Sequence, residues 1–238
     1  MIIKIVLKRF IVLVLLAFGP AALQAAKRPN IVIILADDAG FSDLGCFGGE
    51  IETPNLDSLA AKGLRFTEFY NMARCWPSRA ALMTGSYDNF LNNKRITIPQ
   101  VLKSAGYNTA MVGKWHLGGK SFDPNGLNAP INRGFDDFYG TLHGAGSYYD
   151  PMTLTRNRKS IEPDHESFYY TDKIGEEAVR QIKVLAKAEK PFFQYVAFTA
   201  PHWPIHAPEK TIQKYIKRYE GGWEKLNYII FMPRHQYS

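Results

Sequence analysis

The apolar positions of this chain change their spacing several times, and each change marks an element. Residues 30–36 (NIVIILA) form an unbroken β-branched, apolar run that ends in two adjacent carboxylates, Asp37 and Asp38. A run without alternation predicts a strand buried on both faces, as in a parallel sheet. Thr53 and Pro54 open a helix as cap and first helical residue, and Gly63 stops it. Residues 64–70 alternate apolar and polar side chains and predict a strand. Residues 78–84 read as a short helix closed by Gly85, and residues 97–105 repeat the cap-proline-helix pattern with Gly106 as stop. Residues 107–112 make another short strand. From 113 to about 168 the chain is rich in Gly, Asn, Pro and Tyr, which predicts long surface loops. Residues 171–187 are amphipathic, with Ile174, Ala178, Ile182, Leu185 and Ala186 on one side and Glu176 and Arg180 spaced to pair. Residues 191–199 (PFFQYVAFT) are a mostly apolar strand leading into Pro201, His202, Trp203 and Pro204. Strands alternating with helices predict an α/β fold around a mainly parallel sheet.

Two ends stand apart from this pattern. Lys4, Lys8 and Arg9 precede a short apolar run at 10–18, then Gly19, Pro20 and a small residue at Ala25. This predicts a signal peptide over residues 1–26, with export to the periplasm or the medium and no stable membrane insertion after cleavage. Cleavage removes three of the 29 basic residues and none of the 22 acidic ones, so the net charge falls from +7 to 26 − 22 = +4. At the other end, residues 226–238 form an atypical tail. Residues 27–225 are left as one domain. At 46% hydrophobic and 21% charged the chain is neither a disordered polymer nor a disulfide-stapled mini-protein. No basic stripe carries interleaved aromatics, which argues against nucleic acid as a partner.

In a parallel sheet, ligands bind beyond the carboxyl ends of the strands. Asp37-Asp38, Lys114 with His116, and His202 all fall at such positions, and Cys75 to Arg79 lie at a helix start. Adjacent carboxylates after a buried strand suit a hard divalent cation, or else a solvated turn. Lys114 and His116 share one side of an extended segment, and a cation beside an imidazole suits an anionic substrate and proton transfer. His206 is an alternative to His202, while His143 and His165 sit in loops. Cys75, placed one turn before a helix and near Arg79, meets free backbone N–H groups that favour a thiolate or an anion. A nucleophilic thiolate and a disulfide to Cys46 both stay open on these grounds.

Cys75-Trp76-Pro77-Ser78-Arg79, followed by Ala80 to Gly85, resembles the signature of the sulfatase family. Arg28 to Asn30 with Asp37-Asp38 and Gly40 to Gly45, Gly113-Lys114-Trp115-His116-Leu117-Gly118, and Thr199-Ala200-Pro201-His202-Trp203-Pro204 resemble further motifs of that family in the same order. The resemblance implies an alkaline-phosphatase-like α/β sandwich. It implies that Cys75 is oxidised to Cα-formylglycine by a formylglycine-generating or anaerobic maturase enzyme, and so is not in a disulfide. Asp37, Asp38 and modified Cys75 would bind Ca2+ rather than Mg2+. The aldehyde hydrate at Cys75 would attack the sulfur of a sulfate ester. Arg79 would steady the hydrate, Lys114 and His202 would hold the sulfate, and His116 would assist collapse of the covalent intermediate.

The resemblance also meets a departure. After His202 the only carboxylates are Glu209, Glu220 and Glu224, and no Asp follows Asp172. The chain is therefore expected to be the N-terminal part of the family's catalytic domain, with an incomplete metal site and an open sheet edge. Three readings follow: an exported hydrolase of aryl or carbohydrate sulfates, acting on a sulfated small molecule or polysaccharide; a catalytically inactive remnant; or a related phosphoester or phosphonate hydrolase. Trp115, Tyr148, Tyr149 and Trp203 are either sugar-stacking or core aromatics.

Overall fold

The computed structural model describes residues 28–222 except 89, 120, 121 and 165. The segment over 1–26 read as a signal peptide, the tail over 226–238 and His165 therefore lie outside the described residues. Six strands form one sheet: β1 (Ile31–Asp37), β2 (Asn108–Gly113), β3 (Asp137–Thr141), β4 (Leu154–Arg156), β5 (Lys159–Ser160) and β6 (Phe192–Pro201), in the order β1-β6-β2-β3-β4-β5. The pairs from β1 through β6 and β2 to β3 are parallel, and β3-β4-β5 is antiparallel. This is the α/β sheet that the runs at 30–36, 107–112 and 191–199 predict.

Alternation along the central strands sends side chains into two cores. Met111, Phe138, Phe193 and Tyr195 pack on one face, against helices α2 (Cys75–Thr84) and α3 (Ile98–Ser104). Their sequence neighbours Val112, Tyr139 and Val196 pack on the other, against α4 (Tyr170–Leu185) through Ile174 and Ala178. Helix α1 (Pro54–Lys62) follows Thr53 as its cap-proline pattern predicts. Helix α5 (Glu209–Tyr219) has no buried residue and was not expected from the sequence. Among the described residues, no helix is long and apolar enough to cross a membrane.

Two expectations fail. Residues 64–70 are not a strand: Leu64 is 91% exposed and Tyr70 86%, with no neighbouring strand to pair with among the described residues. Alternation without a pairing partner makes no strand. The stretch from 113 to 168 is not merely surface loop. It carries β3, β4 and β5 and buries Trp115, Phe135, Phe138 and Leu154, because the glycines and prolines there space short strands rather than replace them.

Candidate active site

Three parallel strands deliver their carboxyl ends to one place. β1 ends in Asp37, β2 runs into Lys114, and β6 runs into His202. Lys114 is fixed by its backbone, its N–H donating to Ala197 O at 2.8 Å, and the next N–H, of Trp115, donates to Thr141 O at 2.9 Å. The close strand approach that allows this needs glycine at 113. A Cβ there would lie 1.9 Å from Ala197 O, and φ is 98°.

Asp37 is the centre of a buried ion cluster. Arg79 Nη2 lies 3.0 Å from Asp37 Oδ1, and Lys114 Nζ pairs with Oδ2. Arg79 Nη1 also donates to Lys114 O at 2.9 Å and to the Tyr195 hydroxyl at 3.3 Å. Burial works against the Arg79 charge, but Tyr195, Asp37 and Cys75 more than offset it and raise its pKa above the ordinary arginine value. Lys114 moves the other way. Burial and then the Arg79 charge pull its pKa down, against the opposing pull of Asp37 and Cys75.

Cys75 opens α2 rather than preceding it by a turn. Its approach is shaped by the motif itself. Ser78 Oγ accepts the Met72 N–H at 3.1 Å, and Asn71 Oδ1 accepts the Ala73 N–H at 2.6 Å, which holds Ala73 at φ 51°. Pro77 sits in the first turn, where no intrahelical partner for an N–H exists. Cys75 and Cys46 are both free thiols, so no disulfide joins them.

His116 departs from the extended backbone assumed for it, with φ 56°. Its ring meets Trp76 edge-on at 5.8 Å, and Nδ1 is buried without a hydrogen-bond partner among the described residues. It fits only because residue 144 is glycine, where a Cβ would stand 2.2 Å from the ring. Burial first, then the charges of Lys114 and Arg79, lower its pKa to about 4, so the imidazole is neutral near pH 7. His202 Nε2 lies 3.6 Å from Asp38 Oδ2, whose side chain is 58% exposed, and Tyr148 donates its hydroxyl proton to His202 O at 2.7 Å. His206 sits elsewhere, its Nδ1 accepting from the Tyr148 N–H at 3.3 Å beneath Tyr149 and Tyr169. Of the aromatics, Trp115 and Tyr148 are core, whereas Tyr149 and Trp203 are exposed.

The donor set does not fit a complete calcium site. Such an ion takes six to eight oxygens. Both Asp37 oxygens face cations, and among the described residues no group of three or more His, Cys, Asp or Glu could hold an ion. Sequence reasoning missed two contributors, Tyr195 and Gly144. Tyr195 lies mid-strand in an apolar run, and no local pattern marks either of them.

Comparison with known proteins adds a consistent picture. The sulfatase family model matches residues 29–237. The arylsulfatase of Klebsiella aerogenes is 34% identical over 245 residues, covering 89% of this chain and 51% of that protein. The solved structure of Ps i-CgsB in complex with k-i-k-neocarrahexaose superposes with a TM-score of 0.73 at 32% identity, covering 80% of this chain and 49% of that one. A solved alkaline phosphatase superfamily protein from Vibrio parahaemolyticus gives a TM-score of 0.52 at 25% identity, over 81% of this chain and 47% of that one. The chain thus spans about half the length of these three proteins, and 36% to 42% of the length of two further sulfatase relatives.

Proposed function

The chain belongs to the sulfatase family, and from that premise we propose that it is the N-terminal part of an exported hydrolase of sulfate esters, aryl or carbohydrate, acting through a formylglycine made from Cys75. The observation that carries this reading is the placement of Cys75 at the first turn of α2, within electrostatic reach of two buried cations, Arg79 and Lys114. Formylglycine would form at Cys75 only through a maturase that supplies an external oxidant and removes the thiol sulfur. Once hydrated, it would supply one hydroxyl oxygen as nucleophile for the ester sulfur, with the alcohol leaving with that hydroxyl's proton, and a second hydroxyl whose deprotonation would release sulfate by carbon–oxygen cleavage. No attack of water on sulfur is needed.

Arg79 and Lys114 supply positive charge near the diol and the transferring group, in a site already shielded from water. His116, neutral near pH 7, is the base that takes the proton of the second hydroxyl. His202 binds a sulfate oxygen from the β6 side. No step runs through calcium, because Asp37 and Asp38 alone are too few donors. One observation favours the competing reading of an inactive remnant: the oxygen cage is incomplete among the described residues.

The deciding experiment is hydrolysis of 4-nitrophenyl sulfate by protein whose Cys75 peptide carries formylglycine by mass. Turnover that vanishes in Cys75→Ala is the expected result. Turnover that survives the substitution removes Cys75 from the mechanism, and none in the matured parent favours the remnant.

A further inference from the structure

His202 leaves the end of β6 on a turn that burial does not hold. Trp203 and Ile205, which follow it, are 73% and 80% exposed. Hydrogen bonds hold the turn instead, and three tyrosine hydroxyls from outside it supply them: Tyr148 to His202 O, Tyr169 to His206 O at 3.0 Å, and Tyr149 to Ala207 O at 3.1 Å. Of these three, Tyr148 is the one that reaches His202 itself. We propose that Tyr148 is a positioning residue for the sulfate site, whose hydroxyl fixes the His202 main chain and so the place of the imidazole Nε2. The inference rests on the reading of His202 as a sulfate-binding residue, and it adds the group that sets where that residue stands.

The anchor is well fixed. Tyr148 is 3% exposed, and its ring packs in the second core with Tyr170 and Val196. Its C=O accepts the Tyr170 N–H at 2.7 Å, which ties it to the first residue of α4. From that point the hydroxyl spans to the end of β6. It stands 2.7 Å from His202 O and 3.0 Å from Thr199 O, so one proton serves two carbonyls of the same turn. Thr199 O also accepts the His202 N–H at 3.0 Å, which closes the turn on itself. Burial first, then Tyr169 and the Asp37 charge, push the Tyr148 pKa up to about 12, so the hydroxyl keeps the proton it donates.

The main chain decides where the ring stands, because the ring is locked to it. His202 Nδ1 bonds to Trp203 O. A carbonyl only accepts, so Nδ1 carries the proton, and Nε2 is the nitrogen left to carry a second proton toward a sulfate oxygen. Nε2 lies 3.6 Å from Asp38 Oδ2, at the open end of the site. A shift of the turn therefore moves Nε2 with it. A hydrogen bond to a sulfate oxygen spans about 2.7–3.2 Å, so a displacement of about 1 Å loses the contact. The Tyr148 hydroxyl acts on sulfate through this one carbonyl and touches no substrate itself.

The test is a double-mutant cycle read on inorganic sulfate, its binding followed by NMR titration at constant ionic strength. Tyr148→Phe keeps the ring in the core and removes only the hydroxyl. It should weaken sulfate binding about fivefold, the loss expected for one hydrogen bond, and His202→Ala should weaken it at least as much. In the His202→Ala background, Tyr148→Phe should weaken it by less than about twofold, since no imidazole is left to place. With matured protein and 4-nitrophenyl sulfate, Tyr148→Phe should raise KM about fivefold and leave kcat within about twofold. Equal sulfate affinity in parent and Tyr148→Phe overturns the inference and leaves the hydrolase reading standing. So does the full loss in the His202→Ala background, or a loss that falls on kcat with KM unchanged, because either makes the effect a general loosening of the fold. Sulfate that does not bind the parent, or binds His202→Ala as well as the parent, removes the sulfate role of His202 and the inference with it. Sulfate binding that follows the cycle, without turnover of the ester by matured protein, rejects hydrolysis and upholds Tyr148.

Discussion

Replacing Asp37 by Asn keeps the shape of the ion cluster and removes the carboxylate that pairs with both Arg79 and Lys114. Asp37 lies 3.0 Å from Arg79 and pairs with Lys114, and the three side chains are 4%, 1% and 0% exposed. Breaking a buried pair from one side costs about 3–5 kcal/mol, because the partner charge stays buried without compensation. Two cations are stranded here, but Lys114 has an escape. Burial and the Arg79 charge already lower its pKa, and without Asp37 it gives up its proton more readily. We expect a loss of about 3 kcal/mol at pH 7, a large share of the 5–15 kcal/mol that holds a typical domain. With a urea slope of about 2 kcal/mol per molar, the midpoint falls by about 1.5 M. The assay is urea denaturation in EDTA, so that loss of a metal ligand plays no part. The sign with pH follows from the lysine. Its folded pKa lies below its unfolded one, so the unfolded chain holds more protons and stability falls as pH falls. The gap between variant and parent should therefore be smaller at pH 9 than at pH 6. A loss below about 1 kcal/mol in EDTA refutes the cluster as a stabilising unit.

Other consequences are equally direct. Gly144→Ala puts a methyl group 2.2 Å from the His116 ring, and the ring is the part able to move. kcat for an aryl sulfate should drop by about two orders of magnitude with the urea midpoint nearly unchanged; unchanged kcat would mean that His116 has no part in the chemistry. His116 itself makes the fold acid-sensitive. With a folded pKa of about 4 against 6.5, stability should be flat above pH 6.5 and fall between pH 6.5 and 4. The fall is about 2 kcal/mol once its partial exposure is allowed for, and a His116→Gln variant that keeps the whole slope would exclude this origin. Finally, β1 has no partner on its outer side among the described residues, and Val32 and Ile34 are 44% and 52% exposed. Concentration-dependent association by sedimentation is expected, relieved by Ile34→Lys; a parent that stays monomeric at every concentration disproves it.

The legible part of the fold was the part that local rules govern. Unbroken apolar runs gave β1 and β6, and the cap-proline-glycine grammar gave α1 and α3, because these signals depend only on neighbours in sequence. β3, β4 and β5 were hidden for the opposite reason. Each is five residues or shorter, and each exists because the preceding strand offers it hydrogen bonds. The run at 64–70 shows the converse, a strand pattern with no strand to pair against among the described residues. At the site, Asp37, Arg79 and Lys114 could be named from their motifs, but not their mutual pairing. That contact joins residues 42 and 77 positions apart, and only the sheet order creates it.

That pairing changes how the site must be understood. Motif reading assigns Asp37 to a cation and Arg79 and Lys114 to an anion, as if the two jobs were separate. In the structure they neutralise one another, so each role is gained only by giving up another contact. Because both Asp37 oxygens already pair with Arg79 and Lys114, an anion that reaches either cation competes with a buried carboxylate for it, and the positive charge it meets is what that pairing leaves over.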